Sequence, residues 1–252
     1  MIVDCHTHWG MGWEDRDQGD PTAWLEVLDR HQVDQAFLLG HYSLTQSERT
    51  TADNDRLARL RDQVPDRLVP FGTCWPHHGV RAVDEAIRCL DRLGLAGLKF
   101  HPWLQGFSLA EPVLADICAL AGERGVPIIF HDGTPCYSLP EQVAGLARRF
   151  PQTRFVLGHA GLLWAWRSAL AVAGLANLWT CLCGPHQRGM EILSHHAPAD
   201  RLLWGSDFGF GFADPIDYRL GQFRRSRIPA ALQQAILGAN PQRLLRPEGA
   251  LP

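Results

Sequence analysis

A single (β/α)8 barrel is the fold the sequence predicts, and three observations carry that expectation. Apolar runs of strand length alternate with amphipathic stretches eight times over 252 residues, a size typical of such a barrel. Metal- and proton-competent side chains fall at the carboxyl ends of runs far apart in sequence, and a closed barrel gathers those ends on one face. No Gly-x-Gly-x-x-Gly loop follows the first run, so the doubly wound open sheet lacks its usual phosphate-binding signature. Without a Pro/Gly/Ser-rich linker, residues 1–252 are expected to form one domain.

Strands are expected near 1–8, 34–40, 67–74, 95–101, 126–131, 154–159, 177–183 and 201–207. Helices are expected near 21–31, 53–63, 80–93, 110–124, 139–149, 162–174, 186–196 and 214–225. Asp20-Pro21 resembles a cap followed by a first-turn proline, and Ser108-x-x-Glu111 and Ser138-x-x-Glu141 have the capping-box spacing. Gly94 and Gly125 follow helical patterns as left-handed stops. Residues 226–252 add terminal helix, with Asn240-Pro241 as a cap.

Strand alternation assigns faces, because side chains two apart point the same way. Ile2, Asp4, His6 and His8 then share the inner face of the first strand, leaving Val3, Cys5 and Thr7 toward the helices. Lys99 and His101 share the inner face of the fourth strand, and His131 goes with Ile129 on the fifth. His159 goes with Phe155 and Leu157 on the sixth, and Asp207 with Leu203 and Gly205 on the eighth. A lone His-x-His is weak, and two satisfied barrel-mouth histidines would explain it. His131, His159 and Asp207 at other strand ends turn it into a metal-site expectation, since such a site needs several convergent ligands.

An interior lysine is costly unless paired or near water. Lys99 therefore binds an anionic substrate group, is carboxylated and bridges two metals, or forms a salt bridge, with Asp4 the candidate partner. Trp9, Trp13, Trp75 and Trp103 follow the first, third and fourth strands, where they either line a pocket for a flat substrate or cap the barrel end. His41, His77, His78 and His186 fall just past strand ends and read first as loop residues. Trp164 and Trp166 are expected to pack or to form an oligomer contact.

Composition narrows the function classes. Hydrophobic residues make up 46% and charged residues 20% of the chain, consistent with a large core. A formal charge of −3 gives no electrostatic case for nucleic acid. Seven cysteines, an odd count without a disulfide spacing, fit a reducing compartment. Cys181 and Cys183 lack the second pair that a zinc ribbon needs. With no secretory signal and no apolar run of spanning length, a cytoplasmic enzyme is expected. Its partner is a small-molecule substrate, with no membrane or nucleic acid and a possible homodimer.

Asp4-x-His6-x-His8, Gly97-Leu98-Lys99-Phe100-His101-Pro102, His131, Gly158-His159-Ala160-Gly161 and Trp204-Gly205-Ser206-Asp207 occur in order. With them the chain resembles the amidohydrolase superfamily over nearly its whole length. It looks most like the amidohydrolase-related branch that includes hydrolases and the aminocarboxymuconate semialdehyde and resorcylate decarboxylases. Asn240-Pro241-x-Arg243-Leu244-Leu245 is similar to a C-terminal helix pattern of that branch. The resemblance implies one divalent metal, zinc first and manganese second, held by His6, His8, His131 and Asp207. His159 and Asp207 would handle the proton of a metal-bound water, and Lys99, His101, Trp9 and Trp103 would meet substrate. The lysine carbamate of binuclear members is not carried over to Lys99. The reaction implied first is hydrolysis of an amide, ester or lactone in a small, carboxylated substrate. The alternative is non-oxidative decarboxylation of an aromatic or unsaturated acid on the same site.

Overall fold

A computed structural model of the chain describes residues 1–10, 20–210 and 214–246. Strands and helices alternate as expected: β1 Val3–Trp9, α1 Thr22–Arg30, β2 Gln35–Gly40, α2 Thr50–Gln63, β3 Leu68–Phe71, α3 Val80–Ile87, β4 Leu98–Phe100 and α4 Leu114–Glu123. They continue as β5 Pro127–Phe130, α5 Pro140–Arg149, β6 Arg154–Leu157, α6 Trp166–Val172, β7 Leu178–Cys181, α7 Gln187–His196, β8 Leu202–Leu203 and α8 Ile216–Arg224. α9 Ala230–Gln234 and α10 Asn240–Leu245 follow. Among the described residues no helix is long and apolar enough to cross a membrane.

All strand pairs are parallel, in two sheets, β1-β2-β3 and β4 through β8. Two seams join them. At one, Lys99 N donates to Gly72 O at 2.7 Å and Gly72 N to Gly97 O at 3.0 Å. At the other, Cys5 N donates to Trp204 O at 2.9 Å, Asp207 N to His6 O at 2.8 Å and His8 N to Phe208 O at 2.7 Å. The sheet is therefore a closed (β/α)8 barrel.

Alternation sorts the core into two layers. Leu38, Leu98, Phe100, Phe130, Phe155 and Leu157 pack outward with the helices. Val3, Cys5, Phe37, Leu39, Phe71, Ile129, Val156, Trp179, Cys181, Cys183 and Leu203 form a separate inner cluster, with Leu244 from α10. Asn240 ties α10 to the barrel by donating to Ala199 O and Leu202 O, each at 2.8 Å.

Four local expectations are corrected. Val3 and Cys5 face the barrel interior, not the helices, because β1 carries an irregularity between Asp4 and Thr7: three residues of β1 advance against two of β2, Ala36 to Leu38. One extra residue inverts the alternation, so an apolar inner face below gives way to His6 and His8 above. Phe155 and Leu157 face outward. His159 reaches the inside because β6 ends at Leu157 and the chain turns. Ser108 accepts from Ala110 N at 3.2 Å within a local turn, and α4 begins only at Leu114. At α5 only the reach-back half of a box forms, one residue later than Ser138-x-x-Glu141: Gln142 Oε1 accepts from Leu139 N at 2.8 Å. Asp20 Oδ1 does accept from Thr22 N at 2.9 Å.

Candidate active site

The strand ends converge on a buried cluster of imidazoles. His6 is wholly buried, His8 and His101 are nearly so, and His159 is 3% exposed. Ring centroids lie 5.3 Å apart for His6 and His8, 4.4 Å for His6 and His159, and 4.4 Å for His131 and His159. His101 stacks on His131 at 3.7 Å. Packing imidazoles this tightly needs room, and small residues supply it. A Cβ on Gly158 would sit 2.8 Å from His6 Cε1, and one on Gly205 would sit 2.7 Å from His6 Cβ.

Asp207 has φ of 66°, a left-handed conformation that Asp tolerates better than most residues, and this turn aims its carboxylate at the histidines. Oδ1 lies 3.5 Å from His8 Nε2 and 3.7 Å from His6 Nε2. These spacings suit donors that each bind one ion at about 2.0–2.2 Å. Asp207 Oδ1 is buried with no hydrogen-bond partner, as is His6 Nδ1. Imidazole and carboxylate donors suit a zinc or manganese ion, so the residues fit the group that the resemblance implies. His8 Nδ1 sits 3.3 Å from Gly40 O, the outer contact that fixes a ligating ring.

Electrostatics follow from burial and crowding. Burial and the neighbouring cations hold His6, His8 and His131 below the ordinary imidazole range, and His159 down to about 3. His101 is lowered to about 2, first by burial and then by Lys99. For Asp207 burial pulls upward, but the charges of His159, His8 and Lys99 prevail and keep it ionised well below the usual carboxylate range. Lys99 is pushed down to about 8 by burial, against the attraction of Asp207. Its Nζ lies 3.1 Å from His6 Nε2, so its direct partner is this imidazole and not Asp4. Asp4 instead accepts from the backbone of His6 at 3.1 Å and of Ser206 at 3.0 Å, bracing the β1 irregularity against β8.

The structure separates the remaining candidates. His131 lies in the cluster, but its Nε2 sits 3.0 Å from Thr134 Oγ1. The donor set that closes most tightly on the carboxylate is His6, His8 and Asp207. Trp103, 55% exposed and 6.3 Å from the His101 ring, stands at the rim. Trp9 does not line the mouth: it is 3% exposed and turned into the outer core, 6.2 Å from Trp24. Trp75 donates to Ser43 O at 2.8 Å, and Trp13 lies outside the described residues. Trp164 is exposed and Trp166 buried. Of the loop histidines, His41 is buried near the site, 5.0 Å from Phe210, while His77 binds Gly106 O at 2.7 Å.

Three participants escape sequence reasoning. Phe210 stands 4.9 Å from His8 and 6.3 Å from His101, making an aromatic wall. Gln105 accepts from His101 N at 2.8 Å and donates to Cys74 O at 3.0 Å. Asp132 is fully buried and accepts from His159 N at 2.7 Å and Gly161 N at 2.6 Å, fixing the turn that carries His159. An acidic residue directly after a strand-end histidine was the available signal for Asp132.

A closed barrel with imidazoles and an ionised carboxylate at the strand ends defines a class: a barrel protein whose mouth carries donors suited to a metal ion. Residues 3–246 match the family described as Amidohydrolase, and the chain belongs to that family. The proteins it is similar to include decarboxylases. A 2-amino-3-carboxymuconate-6-semialdehyde decarboxylase of Dictyostelium discoideum is 24% identical over 172 residues. That alignment covers 56% of this chain and 48% of the relative, so the match spans about half the length of the curated protein. The fold is shared with a 2,6-dihydroxybenzoate decarboxylase from Rhizobium at TM-score 0.76 and 19% identity, covering 97% and 98% of the two chains. A dihydroxybenzoic acid decarboxylase from Polaromonas, with bound manganese and 2-nitroresorcinol, superposes at TM-score 0.74 and 17% identity, covering 97% and 96%. A 4-oxalomesaconate hydratase from Rhodopseudomonas palustris does so at 0.73 and 17%, covering 97% and 95%.

Proposed function

We propose that the chain is a metal-dependent, non-oxidative decarboxylase of a small aromatic or unsaturated carboxylic acid. The observation that carries this reading is a cation-ready donor set, His6, His8 and Asp207, beside the buried ammonium of Lys99. A carboxylate substrate is the natural counterpart of that charge. The decarboxylases among the relatives support this reaction over the hydrolysis that the sequence suggests first. Hydrolysis stands second, on the family's description and on the water-handling chemistry open to the same donors.

His6, His8 and Asp207 would hold one divalent ion, with His131 a fourth donor as the resemblance implies. Bound there, the ion supplies Lewis-acid charge that draws electron density from the substrate. Lys99 attracts the anionic acid into a dry site where charge interactions are strong. Phe210, beside His8 and His101, offers an aromatic wall for a flat molecule to pack against, and Trp103 guards the rim. The carbon–carboxylate bond breaks, CO2 leaves, and its electron pair stays on carbon to take up one proton. Asp207 stays ionised, which suits a ligand rather than a proton store. His159 is therefore assigned the proton transfer. The substrate's negative charge beside it raises its affinity for a proton, countering its resting depression.

The test is to incubate manganese-loaded protein with dihydroxybenzoates and unsaturated dicarboxylic acids in D2O. Released CO2 together with one deuterium at the vacated carbon is the expected result. Turnover of an ester, lactone or amide with water oxygen in the product, and none of any acid, would replace decarboxylation by hydrolysis.

A further inference from the structure

The inner wall carries ligand-type groups that the proposed reaction leaves unused, and Cys183 is the one set beside the site histidines. Cys183, just past β7, is 1% exposed. Its Sγ and one ring nitrogen each of His6 and His159 lie within 4.8 Å of one another. This set shares only His6 with the His6, His8 and Asp207 group. His6 has a second nitrogen to offer: Nε2 faces Lys99 and Asp207, whereas Nδ1 is buried without a hydrogen-bond partner.

The two sets differ in chemical character. Two imidazoles and a carboxylate accept manganese, iron or zinc, whereas two imidazoles and a thiolate select soft, thiophilic ions. Burial pushes the Cys183 thiol up, so in the metal-free protein it is a neutral S–H and inert as a nucleophile. A cation strong enough to take the thiolate would drive that proton to solvent and form the sulfur–metal bond. Manganese is the weakest of the first-row divalent ions toward such ligands, and zinc and cadmium are far better matched.

We propose that His6, His159 and Cys183 form a second, thiolate-containing site for zinc or cadmium, and that its occupation withdraws His159 from proton transfer. The inhibitory consequence rests on the function proposed above; the binding site does not. Because His6 serves both sets, a soft ion at Cys183 also draws on the imidazole that the hard-ion set needs. The protein then works with a hard ion and is poisoned by excess soft metal.

The experiment uses chelator-stripped wild type, Cys183→Ser and Cys183→Ala, with folding checked by circular dichroism. Cobalt added to wild type should give a sulfur-to-cobalt charge-transfer band in the near ultraviolet, lost in both variants. Cadmium affinity by calorimetry should fall at least about tenfold in the variants, the scale that loss of even an outer partner reaches, while manganese affinity holds. Asp207→Asn should keep the band and lose manganese. A wild type without the band overturns the proposal, and so does a band that persists without Cys183 or a cadmium affinity that does not change. None of these readouts requires turnover, so a failed search for decarboxylation leaves the outcome readable.

Discussion

Gly158→Ala tests whether the imidazole cluster is packed to its limit. The added Cβ would lie 2.7 Å from Phe130 O, 2.8 Å from His6 Cε1 and 3.2 Å from His6 Nδ1. Neither neighbour yields freely: one is backbone of β5 and the other a ring wedged against His159. Overpacking of this kind costs about 1–3 kcal/mol, and at about 2–4 °C per kcal/mol for a chain of this size the melting temperature should drop by roughly 2–12 °C. The larger effect falls on binding, because a ligating ring must be held to within about 0.5 Å, so manganese affinity should fall at least about tenfold. Gly145→Ala is the control, since Gly145 lies in α5 with nothing within 4 Å of its added Cβ. It should gain about 0.5–1 kcal/mol from helix propensity. Thermal denaturation of metal-free protein and manganese titration read both variants. If Gly158→Ala melts and binds like wild type, His6 has slack and the close-packing argument fails.

Asp207→Asn should empty the centre, seen as loss of manganese by elemental analysis, and should lower kcat by more than about a hundredfold if the ion supplies the main charge stabilisation. Lys99→Met removes a buried charge whose pKa depression from 10.5 to about 8 corresponds to about 3 kcal/mol. The variant should melt at or above the wild-type temperature while KM for the anionic acid rises; a lower melting temperature with KM unchanged would make Lys99 structural. Metal-free protein should weaken in acid. His41, His101 and His159, lowered to about 4, 2 and 3, take up protons below about pH 6.5 only on unfolding. Asp4 and Asp132, both raised to about 7, keep protons in the folded state and oppose that trend between about pH 4 and 7. Three histidines against two carboxylates leave one net proton, about 1.4 kcal/mol lost per pH unit of acidification, and the downward shifts of His6, His8 and His131 add to it. Urea unfolding at pH 6.0, 5.5 and 5.0 measures this slope, and a flat or inverted profile refutes it.

The barrel was legible because its strands are buried on both faces and its helices on one, which writes two different periods into the chain. On β4, β5 and β8 simple alternation assigned Lys99, Ile129 and Leu203 to the inside correctly. It failed on β1, where one inserted residue changes parity, and on β6, where the strand stops short of His159. Neither event leaves a mark in apolar periodicity. Trp9 misled for a related reason: at a strand end, direction and not position decides between mouth and core. Phe210 and Gln105 were illegible because they come from loops whose paths depend on the rest of the barrel. Asp132 could have been noticed, yet its role lies in two backbone amides of another strand's loop, which no spacing encodes.

The seam between β1 and β8 joins the first and last strands of the barrel. His6 and His8 stand on its first strand and Asp207 just beyond its last, so the donor set straddles the seam. An ion there would act as a rivet across the joint that closes the cylinder. During synthesis the histidine pair on β1 would emerge well before Asp207, and the set could not be complete until β8 had followed. A truncated product would thus be both unclosed and metal-poor, and metal loading would report a finished barrel.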